Sequence, residues 1–153
     1  RSVSAARDVI AGTAAASSSS SERVGEGGGI DLVVGFSWGG GVGCWLLESG
    51  AWAGPTILLA PTVCAMASAS RRALPRFDAS RRRGGENGDE TTVDVFHPTV
   101  DPFCPSRQVP YLRERGAEVH VVRDSHVLVG MHTWEQIKRS FEKLLEIPID
   151  ASA

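Results

Sequence analysis

Four short apolar runs stand out along the chain. Ile30, Leu32, Val33 and Val34 lead into Gly35; Thr56 to Ala60 is stopped by Pro61; Val93 to His97 is stopped by Pro98; Val119 to Val122 is the fourth. Runs this apolar and rich in β-branched residues read as strands buried on both faces, as in a parallel sheet with helices above and below. The segments between them carry helical spacing. Trp38 to Glu48 sets Val42, Trp45 and Leu46 on one face, and its glycines permit close packing on a strand. Ser106 to Arg115 forms a weaker helical pattern with Pro110 near its first turn. The last pattern is the clearest: Thr133 and Gln136 fit a capping box, and Trp134, Ile137, Phe141, Leu144 and Leu145 make the apolar stripe.

Two stretches break the alternation. Val3, Ala6, Val9 and Ile10 fit one short helix, after which residues 17–29 form a Ser/Gly-rich tract expected to be a flexible connection. Residues 62–91 hold six arginines (Arg71, Arg72, Arg76, Arg81, Arg82, Arg83) and then an acidic, Gly-rich run. They are expected to form a solvated excursion off the sheet or a short lid, with an anion-binding surface as a further reading. The expected architecture is α/β: a mostly parallel sheet with helices on both faces, in a single domain over 1–153.

Composition narrows the classes. With 153 residues, 42% hydrophobic and 22% charged, the chain fits one globular domain or part of a larger one. A net charge of −2 gives no reason to expect nucleic acid as a partner, and no apolar run has the length that crosses a bilayer. Cys44, Cys64 and Cys104 form neither a disulfide framework nor a CxxC site, so a reducing, cytoplasmic compartment is the default. The chain opens at Arg1, in mid-pattern, and is expected to be a fragment.

The sharpest chemical signal is Gly35-Phe36-Ser37-Trp38-Gly39, a G-x-S-x-G where a predicted strand meets a predicted helix. A serine on that tight turn is held out above the sheet edge, and the first helical turn, Trp38 N–H foremost, offers donors to a developing oxyanion. Serine needs a base. Among the four histidines, His120 lies inside a strand pattern, His97 ends one, and His132 precedes the last helix. His126 follows the fourth strand on a loop at the sheet's carboxyl edge and is the expected base. Asp101, in the Pro-rich turn beyond the third strand, is the expected orienting acid, with Asp124 as the alternative. Trp38, Phe103 and Leu128 flank these three and Phe36 adjoins Ser37; Phe36, Phe103 and Leu128 are expected to wall a substrate pocket, core packing being the other reading. The glycines do not form G-x-G-x-x-G and there is no Walker lysine, HExxH or third ligand to go with His126 and His132. No cofactor and no metal are expected.

GFSWGG, HPTVDPFCP and DSHVL resemble the nucleophile elbow, acid turn and histidine loop of the α/β-hydrolase superfamily, in its order Ser, Asp, His. The similarity is greatest to small serine hydrolases of the dienelactone-hydrolase-like and carboxylesterase kind. Their acid turn commonly reads H-G-x-x-D-x-x-V-P. That puts Asp101 on the acid, Pro105 on the closing proline and His97 on a structural histidine, with Pro98 and Cys104 as departures. The resemblance covers about residues 30–146 and implies a C-terminal half of the hydrolase fold. It also implies Ser37, His126 and Asp101 as triad and hydrolysis of a small-molecule ester or thioester. Nothing before Ile30 resembles the strands or the His-Gly loop that the superfamily builds ahead of the elbow. The nucleophile strand is therefore expected near an uncovered sheet edge, open to self-association. A non-catalytic, hydrolase-like binding module is the alternative.

Overall fold

The structure is a computed structural model that describes residues 30–79 and 92–145. Strands β1 (Val33–Phe36), β2 (Thr56–Leu59), β3 (Val93–Val100) and β4 (Glu118–Ser125) form a sheet of order β1-β2-β3-β4, parallel throughout. Helices α1 (Trp38–Glu48), α2 (Val63–Ser70), α3 (Gln108–Glu114) and α4 (Met131–Leu145) alternate with the strands. The tracts at 1–29 and 80–91, including the expected first helix and Arg81 to Arg83, lie outside the described residues.

Strand side chains alternate between two cores. Leu58, Val93, Val95 and Val119 face Cys44 and Trp45 of α1, Cys64 of α2 and Leu112 of α3. Ile57, Phe96 and Val122 point the other way, against Ile137 and Leu144 of α4. Both faces of the sheet are thus covered. Close packing explains Gly40 and Gly43 of α1: a Cβ on Gly40 would stand 2.8 Å from Pro61 Cβ, and one on Gly43 would stand 2.9 Å from Leu58 Cδ2.

Several boundaries differ from the sequence reading, for local reasons. The strand read as ending at His97 runs on through Pro98 to Val100. β2 has already ended there, its last pairing being Leu59 with Phe96, so β3 uses only its β4 edge, and the register slips between Pro98 and Val100. β4 extends to Glu118 and Ser125 as a half-exposed edge among the described strands, where polar residues alternate. The excursion at 62–91 begins with a helix. α2 (VCAMASAS) is built of small residues with neither a charged face nor a clear apolar stripe, so its periodicity is faint. Thr133 does not cap the last helix. α4 starts at Met131, Thr133 is buried in its first turn, and the turn ahead of it is tied by Gly130 N–H donating to Asp124 Oδ2 (2.8 Å). Trp134 is 54% exposed and so lies at the margin of the apolar stripe.

Cys44, Cys64 and Cys104 are all buried free thiols; burial pushes Cys44 up to about 12. Among the described residues no helix is long and apolar enough to cross a membrane.

Candidate active site

Three strands deliver three side chains to the carboxyl edge of the sheet. Ser37 follows β1, Asp101 follows β3 and His126 follows β4. In a parallel sheet these ends share one edge, so residues far apart in the chain meet there. Ser37 Oγ lies 2.7 Å from His126 Nε2, and His126 Nδ1 lies 2.5 Å from Asp101 Oδ2. The other carboxylate oxygen, Oδ1, accepts the Phe103 N–H at 2.8 Å.

The serine sits on a forced turn. Its φ of 52° and ψ of −115° are unfavourable for any residue with a Cβ. The surroundings hold it there. Ser37 N–H donates to Leu59 O (2.8 Å), while Ser37 O accepts from Gly41 N–H (3.2 Å) and Thr62 N–H (3.0 Å). Gly35 is required because a Cβ would meet Gly39 O at 2.7 Å. Helix α1 starts immediately after, and its intrahelical ladder begins with Gly41. The Trp38 N–H is therefore among the donors that a helix N-terminus leaves without an intrahelical acceptor.

One support was not visible in the sequence. Gln108 is fully buried; its Nε2 donates to Pro61 O (2.6 Å) and its Oε1 accepts from Cys64 N–H (3.2 Å). Cys104 Sγ donates to the same Pro61 carbonyl (3.3 Å). The Pro61-Thr62 turn so fixed is the one that holds Ser37 O. A glutamine at the start of a short helix carries no pattern that would single it out.

Electrostatics keep Asp101 ionised. Burial pushes its carboxyl up, but the hydrogen bonds it shares with His126 and Phe103 outweigh that and hold it below the usual carboxylate range. Cys104 lies close to both Asp101 and His126, and this grouping of donor atoms could chelate a metal. Burial raises the Cys104 thiol strongly, which keeps it protonated and a poor ligand.

The other expected residues fall as follows. Phe36 and Phe103 are 46% and 55% exposed, and each ring centroid lies 5.4 Å from that of His126, on its flanks. Leu128 is different. It is 2% exposed and packs in the α4-side core, so it anchors the histidine loop from below rather than walling an open pocket. Its φ of 52° turns the loop at that point. Asp124, the alternative acid, spends its carboxylate on Ser125 N–H and Gly130 N–H. His97 is buried in β3, where burial pushes it down and favours the neutral ring. His120 stacks on Phe96 (4.7 Å, 16°), and His132 is exposed.

No family model and no curated protein matches the chain. Solved structures do. A protein assigned to the hydrolases of the alpha/beta superfamily, from Xanthomonas campestris pv. campestris, matches with TM-score 0.54 and 17% identity, over 94% of this chain and 69% of that one. A protein from Agrobacterium vitis S4, also assigned as a hydrolase, matches with TM-score 0.49 and 17% identity over 74% of this chain and 60% of that one. A dienelactone hydrolase-like promiscuous phosphotriesterase from metagenomic libraries matches with TM-score 0.49 and 14% identity over 93% and 59%. The chain thus spans about three fifths of the length of the last two. At such identities the likeness is one of fold, and it rests on the first of the three. Its parallel sheet, helices on both faces and turn at Ser37 give this chain the α/β-hydrolase fold.

Proposed function

We propose that the chain is a serine hydrolase acting on small carboxylic esters or thioesters through an acyl-enzyme. The observation that carries this reading is the unbroken hydrogen-bonded relay from Ser37 Oγ through His126 to Asp101, on a turn that holds the serine at positive φ. Strain of that kind persists where the surroundings over-determine it, and it recurs at reacting centres.

The steps follow from the contacts. Ser37 Oγ attacks the acyl carbon as its proton passes to His126 Nε2. Asp101 accepts from His126 Nδ1, which fixes the tautomer with Nε2 as the base and stabilises the imidazolium that forms. The oxyanion of the tetrahedral intermediate takes a hydrogen bond from the Trp38 N–H, a kind of contact worth about 3 to 4 kcal/mol. His126 then returns the proton to the departing alcohol or thiol, leaving Ser37 acylated. A water, deprotonated by the same imidazole, adds to the acyl carbon, and the carboxylic acid leaves as the proton returns to Ser37.

The test is covalent labelling with a fluorophosphonate probe, together with hydrolysis of a nitrophenyl ester. Wild-type chain should label and turn over, and Ser37→Ala should do neither while keeping its fold by circular dichroism. Label retained on the alanine variant would remove Ser37 as nucleophile.

A further inference from the structure

A second cluster of polar side chains lies at the far end of the same strands. β3 and β4 pair Asp94 with Glu118 and Phe96 with His120, which brings Asp94, Glu118 and His120 together on the α4 side of the sheet. α4 lays Ser140 and Lys143 over them. Asp94 to Val100 spans about 20 Å of strand, so the cluster is remote from Asp101 and takes no part in the proposed hydrolysis.

The donor atoms converge. His120 Nε2 lies 3.8 Å from Asp94 Oδ2 and 3.7 Å from Glu118 Oε1. Two ligands bound tetrahedrally to one ion at 2.0 to 2.2 Å stand roughly 3.4 Å apart, so the His120 nitrogen needs to close on each oxygen by only a few tenths of an ångström, and all three donors lie within 4.8 Å of one another. Lys143 Nζ pairs with the opposite oxygens, Glu118 Oε2 (2.6 Å) and Asp94 Oδ1 (3.6 Å). Ser140 Oγ donates to Asp94 Oδ2 (2.5 Å) and orients that carboxylate.

Independently, one of the three donor atoms lacks a hydrogen-bond partner. The buried Nε2 of His120 makes no hydrogen bond, whereas Asp94, 1% exposed, gives Oδ2 to Ser140 and turns Oδ1 to Lys143. Buried polar atoms are ordinarily satisfied, so an imidazole nitrogen left open between two carboxylate oxygens calls for a ligand. The Phe96 ring stacked on His120 holds the imidazole plane, and a cavity of about 420 Å³, lined also by Gln136 and Arg139, leaves a route in. Lys143 and Arg139 balance the two carboxylates, so affinity must come from coordination rather than from net charge.

We propose that Asp94, Glu118 and His120 bind a first-row divalent metal ion, with Zn²⁺ as the reference case. One imidazole nitrogen with two carboxylate oxygens suits Zn²⁺ better than Mg²⁺ or Ca²⁺, which prefer all-oxygen shells. The ion joins β3 to β4 under α4.

The experiment is calorimetric titration of the metal-stripped full chain with ZnCl₂, alongside thermal melts with and without Zn²⁺. Saturable binding and a raised Tm are expected in the wild type. His120→Gln and Glu118→Gln should each weaken binding about tenfold or more and remove the Tm rise. His126→Gln should leave this binding intact, which separates it from the grouping of Asp101, Cys104 and His126. If His120→Gln fails to fold, the half-exposed Glu118 gives the deciding variant. No saturable binding, or binding unchanged by these two substitutions, overturns the proposal.

Discussion

Asp101 divides its two carboxylate oxygens between partners of different kinds: Oδ2 meets the His126 ring and Oδ1 the Phe103 backbone N–H. The second bond fixes the carboxylate's rotation, so the imidazole meets an acceptor whose direction is already set. An Asp101→Asn variant can keep the Phe103 contact but favours the wrong imidazole tautomer. We expect kcat on a nitrophenyl ester to fall by about four orders of magnitude with an unchanged circular dichroism spectrum. Near-normal turnover would show that Asp101 is not the orienting acid.

Gln108 should matter to turnover without touching the substrate. Gln108→Ala strands the Cys64 N–H and loosens Pro61, a loss of about 1 to 3 kcal/mol for a buried group left unpaired. Because the same turn holds Ser37 O, kcat is expected to drop more than KM changes. Calorimetric Tm and steady-state kinetics on one preparation test both parts; a lower Tm with unaltered kcat would make the glutamine purely structural.

Gly40→Ala places a methyl 2.9 Å from Pro61 Cα and 3.0 Å from Gly35 O, both backbone atoms that cannot swing aside. Overpacking of this kind costs about 1 to 3 kcal/mol. Chemical denaturation should report it as a lower midpoint with an unchanged slope. Gly39→Ala, where nothing lies within 4 Å, is the matched control.

Phe36 and Phe103 are exposed apolar rings that flank the imidazole of the relay. If acyl chains lie on them, each added methylene gains up to about 0.8 kcal/mol. Plots of log kcat/KM against acyl length should then flatten in Phe103→Ala and in Phe36→Ala. Parallel lines for variant and wild type would place the acyl group elsewhere.

Acid stability should depend on Asp94. Burial pushes its carboxyl up, but the neighbouring His120, the Ser140 hydroxyl and the Lys143 ammonium outweigh that and hold it below the usual carboxylate range. A carboxyl with a lower pKa folded than unfolded contributes stability above the unfolded value, near 3.9, and that stability is lost as pH falls through the folded value. Asp94→Asn should therefore melt lower at neutral pH, with the gap to wild type closing toward pH 3 or below. A gap that stays constant across that range would rule out this linkage.

Much of this was legible in the sequence, and unevenly so. The four strands were marked by β-branched runs against Gly and Pro, and α1 begins and ends as its pattern indicates, because burial on both faces leaves few readings open. α2 was invisible: Val63 to Ser70 offers small side chains that tertiary packing, not periodicity, holds helical. Pro98 misled at the end of β3, since a proline is tolerated once the neighbouring strand has stopped. For the site, the elbow motif and strand-end positions led to Ser37, Asp101 and His126, which do meet. Leu128 was misplaced because its depth depends on how the loop turns at positive φ, and Gln108 was missed because long-range hydrogen bonds leave no periodic trace.

The all-parallel order of the strands also governs when the relay can come into being. Ser37 and His126 are 89 residues apart, and each strand must be laid beside its neighbour across an intervening helical crossover before their loops approach. Such non-local pairing is slow, since the entropy of closing long loops is lost before the contacts form. Refolding from denaturant should accordingly restore helical ellipticity early and reactivity toward fluorophosphonate last. That covalent signal would then serve as a clock for the docking of β4, the last of the described strands.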